Sequence, residues 1–423
     1  MILKIRVNNF LVYSEKAEIS MISDNRIKNF KSNIHFVNDN LGALKASCIY
    51  GGNNVGKTCM LAAIQSIKNV LLSIVANVSV NLFSGSNVCS MGVTFTNQDK
   101  VYSYDFSFDL TKKVPLYSRG FIYEKFSEIN YDKYGNESEK KLFVRDMDND
   151  EYIFSENKEL QNILKSVSSS NILIYTINSE KYPIVEEYRN ILRTFASNID
   201  IIDMNNIPMG KTINILKGNS EIKNKVVELI KSADIDIDDF MLDKKGYNDV
   251  DENFKKPQEN VFLTSDLIDD MYRMTSVHRG KPVQSILFDS TGTKKMVALA
   301  GYIVESLVYG KTLIVDELDS SLHFKLTRAI VALFNNELNK NAQIIFATHD
   351  ITLLDCKKLF RKDQIYFAIR DNDNVKLRSL KSFTASNDNI RSESDLIEKY
   401  KKGAMGTIPE PDLINILIGE DNE

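Results

Sequence analysis

Residues 46–58 read ASCIYGGNNVGKT, and no other stretch restricts the fold as much. The run ASCIY is β-type; beyond the turn, Met60, Ile64, Ile67, Leu71 and Ile74 recur at steps of four and three, the stripe of a buried helix. Between them Gly51, Gly56, Lys57 and Thr58 hold the fixed places of the pattern G-x-x-x-x-G-K-[ST]. Strand, glycine turn and helix together cradle a phosphate chain: the glycines let the backbone wrap it, and the helix N-terminus presents unpaired N–H groups. Gly51, Gly52, Asn53, Asn54, Val55 and Gly56 are the expected cradle. Lys57 is expected to reach the β- and γ-phosphates, and the Thr58 hydroxyl to ligate Mg²⁺. The stretch predicts a nucleotide site, ATP with Mg²⁺, but loops of this kind serve many unrelated chemistries.

The second half narrows the choice. Residues 312–323, TLIVDELDSSLH, read as a buried strand ending in Asp316 and Glu317. Neighbouring side chains on a strand point to opposite faces, so the two acids are expected to divide the work. Asp316 can hold the Mg²⁺ shell while Glu317 faces a hydrolytic water. QIIFATHD is a second buried strand, and its His349 follows Asp316 by 33 positions (349 − 316). The interval holds one helix, Phe324 to Leu338, and a return to the sheet, a βαβ unit that sets both strand ends on one rim. There His349 is placed to bond the γ-phosphate or the attacking water.

Residues 289–311 read DSTGTKKMVALAGYIVESLVYGK. Ser290, Thr291, Gly292 and Thr293 open a helix whose buried face is Met296, Ala300, Ile303 and Leu307, with Gly310 where a C-terminal cap belongs. Its N-terminus, rich in hydroxyls, suits an anion, although a plain N-cap accounts equally well for Ser290 or Thr293 alone.

At these residues the chain resembles the ABC-type ATPases. Ser290-x-Gly292 resembles their signature motif, 26 positions before Asp316 (316 − 290); LDSSLH, with Asp319, resembles the D-loop; His349 resembles the switch histidine. STGTKK departs from the usual LSGGQ form, and the long interval between Lys57 and Asp316 suits the split head of the RecF, SMC and OLD branch rather than a transporter subunit. Within that branch RVNNF, STGTKK, RKDQIYFAI and YKKGAMGTIPE resemble the bacterial abortive-infection, OLD-like ATP-binding proteins. The resemblance implies an ATP-dependent homodimer, or a higher even-numbered oligomer, in which Ser290, Gly292 and Asp319 of one subunit close on the nucleotide held by the other. It also implies a role in defence against phage with a separate nuclease or toxin as effector.

The fold class expected is α/β: an ABC-type P-loop ATPase head, a mixed sheet flanked by helices, with an antiparallel β-subdomain and an α-rich insertion. Residues 1–134 are read as the N-terminal part of the head with that β-subdomain. Residues 135–270 are read as the insertion, and 271–423 as the C-terminal part of the head. VYSYDFSFDL (101–110) alternates as a half-buried strand after the turn TNQDK, where Gln98 reads as a turn residue in preference to the Q-loop glutamine that the resemblance to ABC-type heads implies nearby. Val185, Tyr188, Leu192 and Phe195 mark one helix, and Ile222, Val226, Leu229 and Ile230 another. No heptad persists, so no long coiled coil is expected. The acidic, turn-rich residues 234–260 read as a solvated hairpin or linker, without EF-hand spacing.

Composition excludes several classes. With 43% apolar and 26% charged residues the chain is globular, and its formal net charge of −4 requires any DNA contact to come from a local patch such as His278, Arg279 and Lys281. The run NVLLSIVANVSV is too short and polar to span a bilayer, and no leader is visible, so a cytoplasmic protein without a membrane partner is expected. Cys48, Cys59, Cys89 and Cys356 lack metal-ligand spacing. About seventy residues follow His349, too few for an added catalytic domain, and RDNDN lacks an upstream glutamate, so no nuclease is expected in this chain. The alternative reading is a RecF-like repair ATPase that binds DNA directly.

Overall fold

The computed structural model describes residues 1–74, 79–111, 120–155, 157–167, 171–218, 221–233, 236–242, 274–371, 374–384 and 395–406. Its organising layer is a six-stranded sheet in the order Ile199–Asp203, Thr312–Asp316, Gln343–Ala347, Ala46–Tyr50, Ile365–Asp371, Asn374–Ser379. The first five strands run parallel and the last is antiparallel. The three central strands are almost wholly apolar because both faces of a parallel sheet are covered.

Strand parity sorts the cover. Ile49, Ile314 and Ile345 face a core built from the helix Lys57–Leu71 and the helix Pro183–Ser197. Cys48, Tyr50, Leu313, Val315, Ile344 and Phe346 face the opposite way, onto the helices Thr291–Tyr309 and Phe324–Asn335. Beyond the first core lies a seven-stranded antiparallel sheet, ordered Glu151–Phe154, Glu137–Asp146, Gly120–Tyr131, Lys100–Asp109, Val88–Asn97, Ile2–Asn8, Ala17–Ser20. The helix after the phosphate loop is therefore held between two sheets.

The helix Thr291–Tyr309 is buried at every position from Met296 to Val304. Met296, Leu299 and Ile303 serve the sheet, while Val297, Ala300 and Val304 pack on Ile213, Leu216, Val226 and Ile230. Those partners come from the helices Gly210–Lys217 and Glu221–Ser232. The approach is close: a Cβ on Gly301 would lie 2.3 Å from the Thr212 hydroxyl, which donates to the Ala298 carbonyl at 2.7 Å. Gly310 takes the left-handed C-cap with φ 67°.

The α/β head, its antiparallel layer and its helical insertion are thus all present. Strands from 137–154 and 199–203 lie in the two large sheets, within the interval read from sequence as insertion. Two helix ends differ from expectation. The stripe after the loop stops at Leu71; Ser73 turns left-handed and Ile74 is 54% exposed. The helix from Phe324 stops at Asn335, where the Asn339 N–H bonds back to the Asn336 carbonyl and leaves Leu338 exposed. Most of the acidic stretch 234–260 lies outside the described residues. Among the described residues no helix is long and apolar enough to cross a membrane.

Candidate nucleotide site

The loop between Tyr50 and Lys57 is shaped by two left-handed residues, Asn54 (φ 58°) and Gly56 (φ 91°). Gly56 caps the helix without a side-chain partner, so the first-turn N–H groups face outward unclaimed by a capping side chain. A Cβ on Gly51 would lie 2.9 Å from the Ala368 carbonyl, and one on Gly56 2.6 Å from Val12. The Tyr13 hydroxyl donates to the Gly56 carbonyl at 2.9 Å and steadies the turn from the N-terminal side. Gly52, Asn53, Asn54 and Val55 complete the turn, with the two asparagines exposed. Lys57 is buried and folds back, donating to the carbonyls of Gly51 (3.0 Å) and Gly52 (2.8 Å). Burial lowers its pKa, against the pull of Asp316, Glu317 and Asp319.

Asp316 shares strand parity with Ile314, on the side of the loop helix, which brings it to Thr58. Burial raises its carboxyl pKa; the Thr58 hydroxyl works the other way, and Asp203 and Glu317 add repulsion. Its Oδ1 is buried with no hydrogen-bond partner. An orphaned, half-buried carboxylate oxygen beside a threonine hydroxyl fits a hard divalent cation, which takes few protein ligands when phosphate oxygens supply others.

Glu317 leaves the strand in the left-handed region, φ 54°. Its Oε2 accepts from the Asn205 amide at 2.7 Å. The Asp319 carboxylate takes the Thr348 hydroxyl at 2.7 Å and the His349 N–H at 3.2 and 3.3 Å. His349 stands on the rim, its pKa lowered by partial burial and by Lys57, so the ring is neutral near pH 7. Lys57, Asp316, Glu317, Asp319 and His349 all share one electrostatic neighbourhood.

Ser290 and Gly292 open the helix Thr291–Tyr309. Ser290 is the N-cap of its helix, accepting from the Thr293 N–H at 3.1 Å, and a Cβ on Gly292 would lie 2.9 Å from the Ser321 carbonyl. Just before them, the fully buried Asp289 side chain gathers Ser276 (3.0 Å), His278 (2.9 Å) and Ser285. His278 is therefore turned inward, and Arg279 pairs with Asp236 at 2.9 Å.

Asn205, Asp289 and Tyr13 are the site neighbours that sequence reasoning missed. For Asn205 a signal existed: NIDIIDMNN is a short apolar run ending in polar residues, the same form as the strand ending in Asp316. A cavity of about 730 Å³ lies elsewhere, on the antiparallel sheet, beside the paired Arg6 and Asp105.

A family model described as "AAA domain, putative AbiEii toxin, Type IV TA system" matches residues 46–355. No curated protein matches the chain. Among solved structures it is similar to an SMC head domain from Thermotoga maritima (11% identity, TM-score 0.40, covering 89% of this chain and 98% of that one). It is also similar to an Smc head bound to the C-winged helix domain of ScpA (15%, 0.40, 89% and 97%). A third is an Smc head with an extended coiled coil bound to the C-terminal domain of ScpA, derived from Pyrococcus furiosus (13%, 0.37, 90% and 96%).

Proposed function

The chain belongs to this AAA-domain ATPase family, matched over residues 46–355, and from that premise we propose an ATP-hydrolysing switch that closes as a homodimer and gates a separate effector in phage defence. The observation that carries the reading is the convergence of Lys57, Asp316, Glu317 and His349 at the rim where the phosphate loop ends. ATP lies along residues 51–58, and Lys57 exchanges the Gly51 and Gly52 carbonyls for phosphate oxygens. Thr58 and Asp316 would hold Mg²⁺, which when bound neutralises charge on the phosphate oxygens. Glu317 and His349 orient the attacking water, and Glu317 accepts its proton.

Ser290 and Gly292 cap the γ-phosphate held by the partner subunit. Every charge-assisted hydrogen bond to that phosphate that hydrolysis breaks weakens closure by about 1–3 kcal/mol, so turnover resets the dimer. The defence role is supported by the family's description, which names a toxin of a toxin–antitoxin system. The effector is a separate nuclease or toxin, and the complex works in the cytoplasm.

The test is a pull-down of Glu317→Gln from its native host with ATP present. Co-elution of a stoichiometric nuclease or toxin supports the gating role; DNA without a protein partner replaces it with the repair reading.

A further inference from the structure

Glu317, on the reading above, accepts a proton from the attacking water, yet one of its carboxylate oxygens is already engaged. The Asn205 amide donates to Oε2 at 2.7 Å, and the Asn205 carbonyl oxygen accepts from the Ser320 hydroxyl at 3.0 Å. Ser320 in turn accepts from the Lys295 ammonium at 3.1 Å, and Lys295 also reaches Ser321 at 3.1 Å. Donors and acceptors match in one way only: the amide N–H faces the carboxylate and the amide oxygen faces the hydroxyl, so Asn205 has one orientation. We propose that Asn205 is a restraint on hydrolysis, a positioning residue that holds Glu317 aside until the helix Thr291–Tyr309 shifts.

Three observations support it beyond the bond itself. Glu317 sits in the left-handed region, a conformation that a non-glycine side chain keeps only where its surroundings hold it. Asn205 follows the strand Ile199–Asp203, whose last residue pairs in register with Asp316, so it is delivered by the neighbouring strand rather than by chance contact. Asn205 is tied to one helix by two routes. Lys295 belongs to it, and the segment after Asn205 leads into Gly210–Lys217, which is clipped to it by Thr212 at the Ala298 carbonyl. A displacement of that helix, whose first residues are the proposed contact with the partner's phosphate, therefore draws on Asn205 from two sides. Release returns the occupied oxygen to the water.

This inference rests on the hydrolytic role proposed for Glu317, and the test separates the two. ATP turnover of the full chain is measured for wild type, Asn205→Ala, Ser320→Ala, the double variant and Glu317→Gln, with thermal melts alongside. Asn205 is exposed, so its truncation leaves the core intact. The expected result is a rise in kcat of about three- to tenfold in Asn205→Ala with KM for ATP unchanged, a smaller rise in Ser320→Ala, and no further gain in the double variant. A fold defect lowers kcat and cannot produce that pattern. Unchanged or reduced kcat in Asn205→Ala, with Glu317→Gln inactive, overturns the restraint and leaves the hydrolytic role standing. Full activity in Glu317→Gln overturns the role and the restraint together.

Discussion

The Thr348 hydroxyl donates to the Asp319 carboxylate at 2.7 Å, and the His349 amide reaches the same group. One side chain thus ties the loop beyond Asp316 to the loop beyond the neighbouring strand, and fixes where His349 stands. Asp319→Ala is expected to keep ATP affinity within about twofold while turnover falls about tenfold or more. Titration calorimetry beside single-turnover hydrolysis separates the two. A direct nucleotide contact by Asp319, as the resemblance implies, predicts a fall in affinity instead.

Asp316 carries a second signature. Its Oδ1 is buried and unpartnered, and burial with Asp203 and Glu317 nearby makes the ionised form costly in the absence of Mg²⁺. Asp316→Asn is expected to raise the melting temperature of the nucleotide-free protein by about 1–3 °C while removing the extra stabilisation that Mg²⁺–ATP confers. Melts with and without Mg²⁺–ATP check both halves.

Asp289 holds the chain immediately ahead of Ser290 through Ser276, His278 and Ser285. Its removal leaves buried polar groups unpaired, so Asp289→Ala should lose about 1–3 kcal/mol of stability by denaturant unfolding. The same variant should bind ATP normally yet assemble less readily, because the disturbed residues belong to the proposed partner contact and not to the loop.

The response to acid follows from two histidines. Burial holds the pKa of His35 and that of His349 below the ordinary 6.5. As the pH falls the unfolded chain takes up these protons first, so their contribution to stability is complete above about pH 6.5 and is lost below it. The melting temperature should therefore drop between about pH 7.5 and 5.5, and His35→Asn should flatten part of that drop.

Much of the local structure around the candidate site was legible in short patterns. The phosphate loop with its flanks, the strand ending in Asp316, the cap at Gly310 and the hairpin around Gln98 all follow from spacing or turn chemistry within about twenty residues, whereas Glu317, read as the strand's last residue, turns left-handed just beyond it. What escaped depends on strand neighbours far apart in the chain. Asn205 meets Glu317 across 112 positions because Ile199–Asp203 lies beside Thr312–Asp316, an order that no local pattern encodes. The bonds of Asp319 to Thr348 and His349 are likewise hidden from any local pattern, since those partners follow the next strand. The stripe that runs on to Ile74 overshoots because periodicity continues past the left-handed turn at Ser73.

The central claim is that ATP closes two copies of this chain on each other. Its most direct measurement is the solution mass of Glu317→Gln by analytical ultracentrifugation, with and without Mg²⁺–ATP. The account predicts a mass that doubles on adding Mg²⁺–ATP, and that fails to double when Lys57→Ala or Ser290→Arg is combined with the first substitution. An unchanged mass in Glu317→Gln saturated with Mg²⁺–ATP contradicts it.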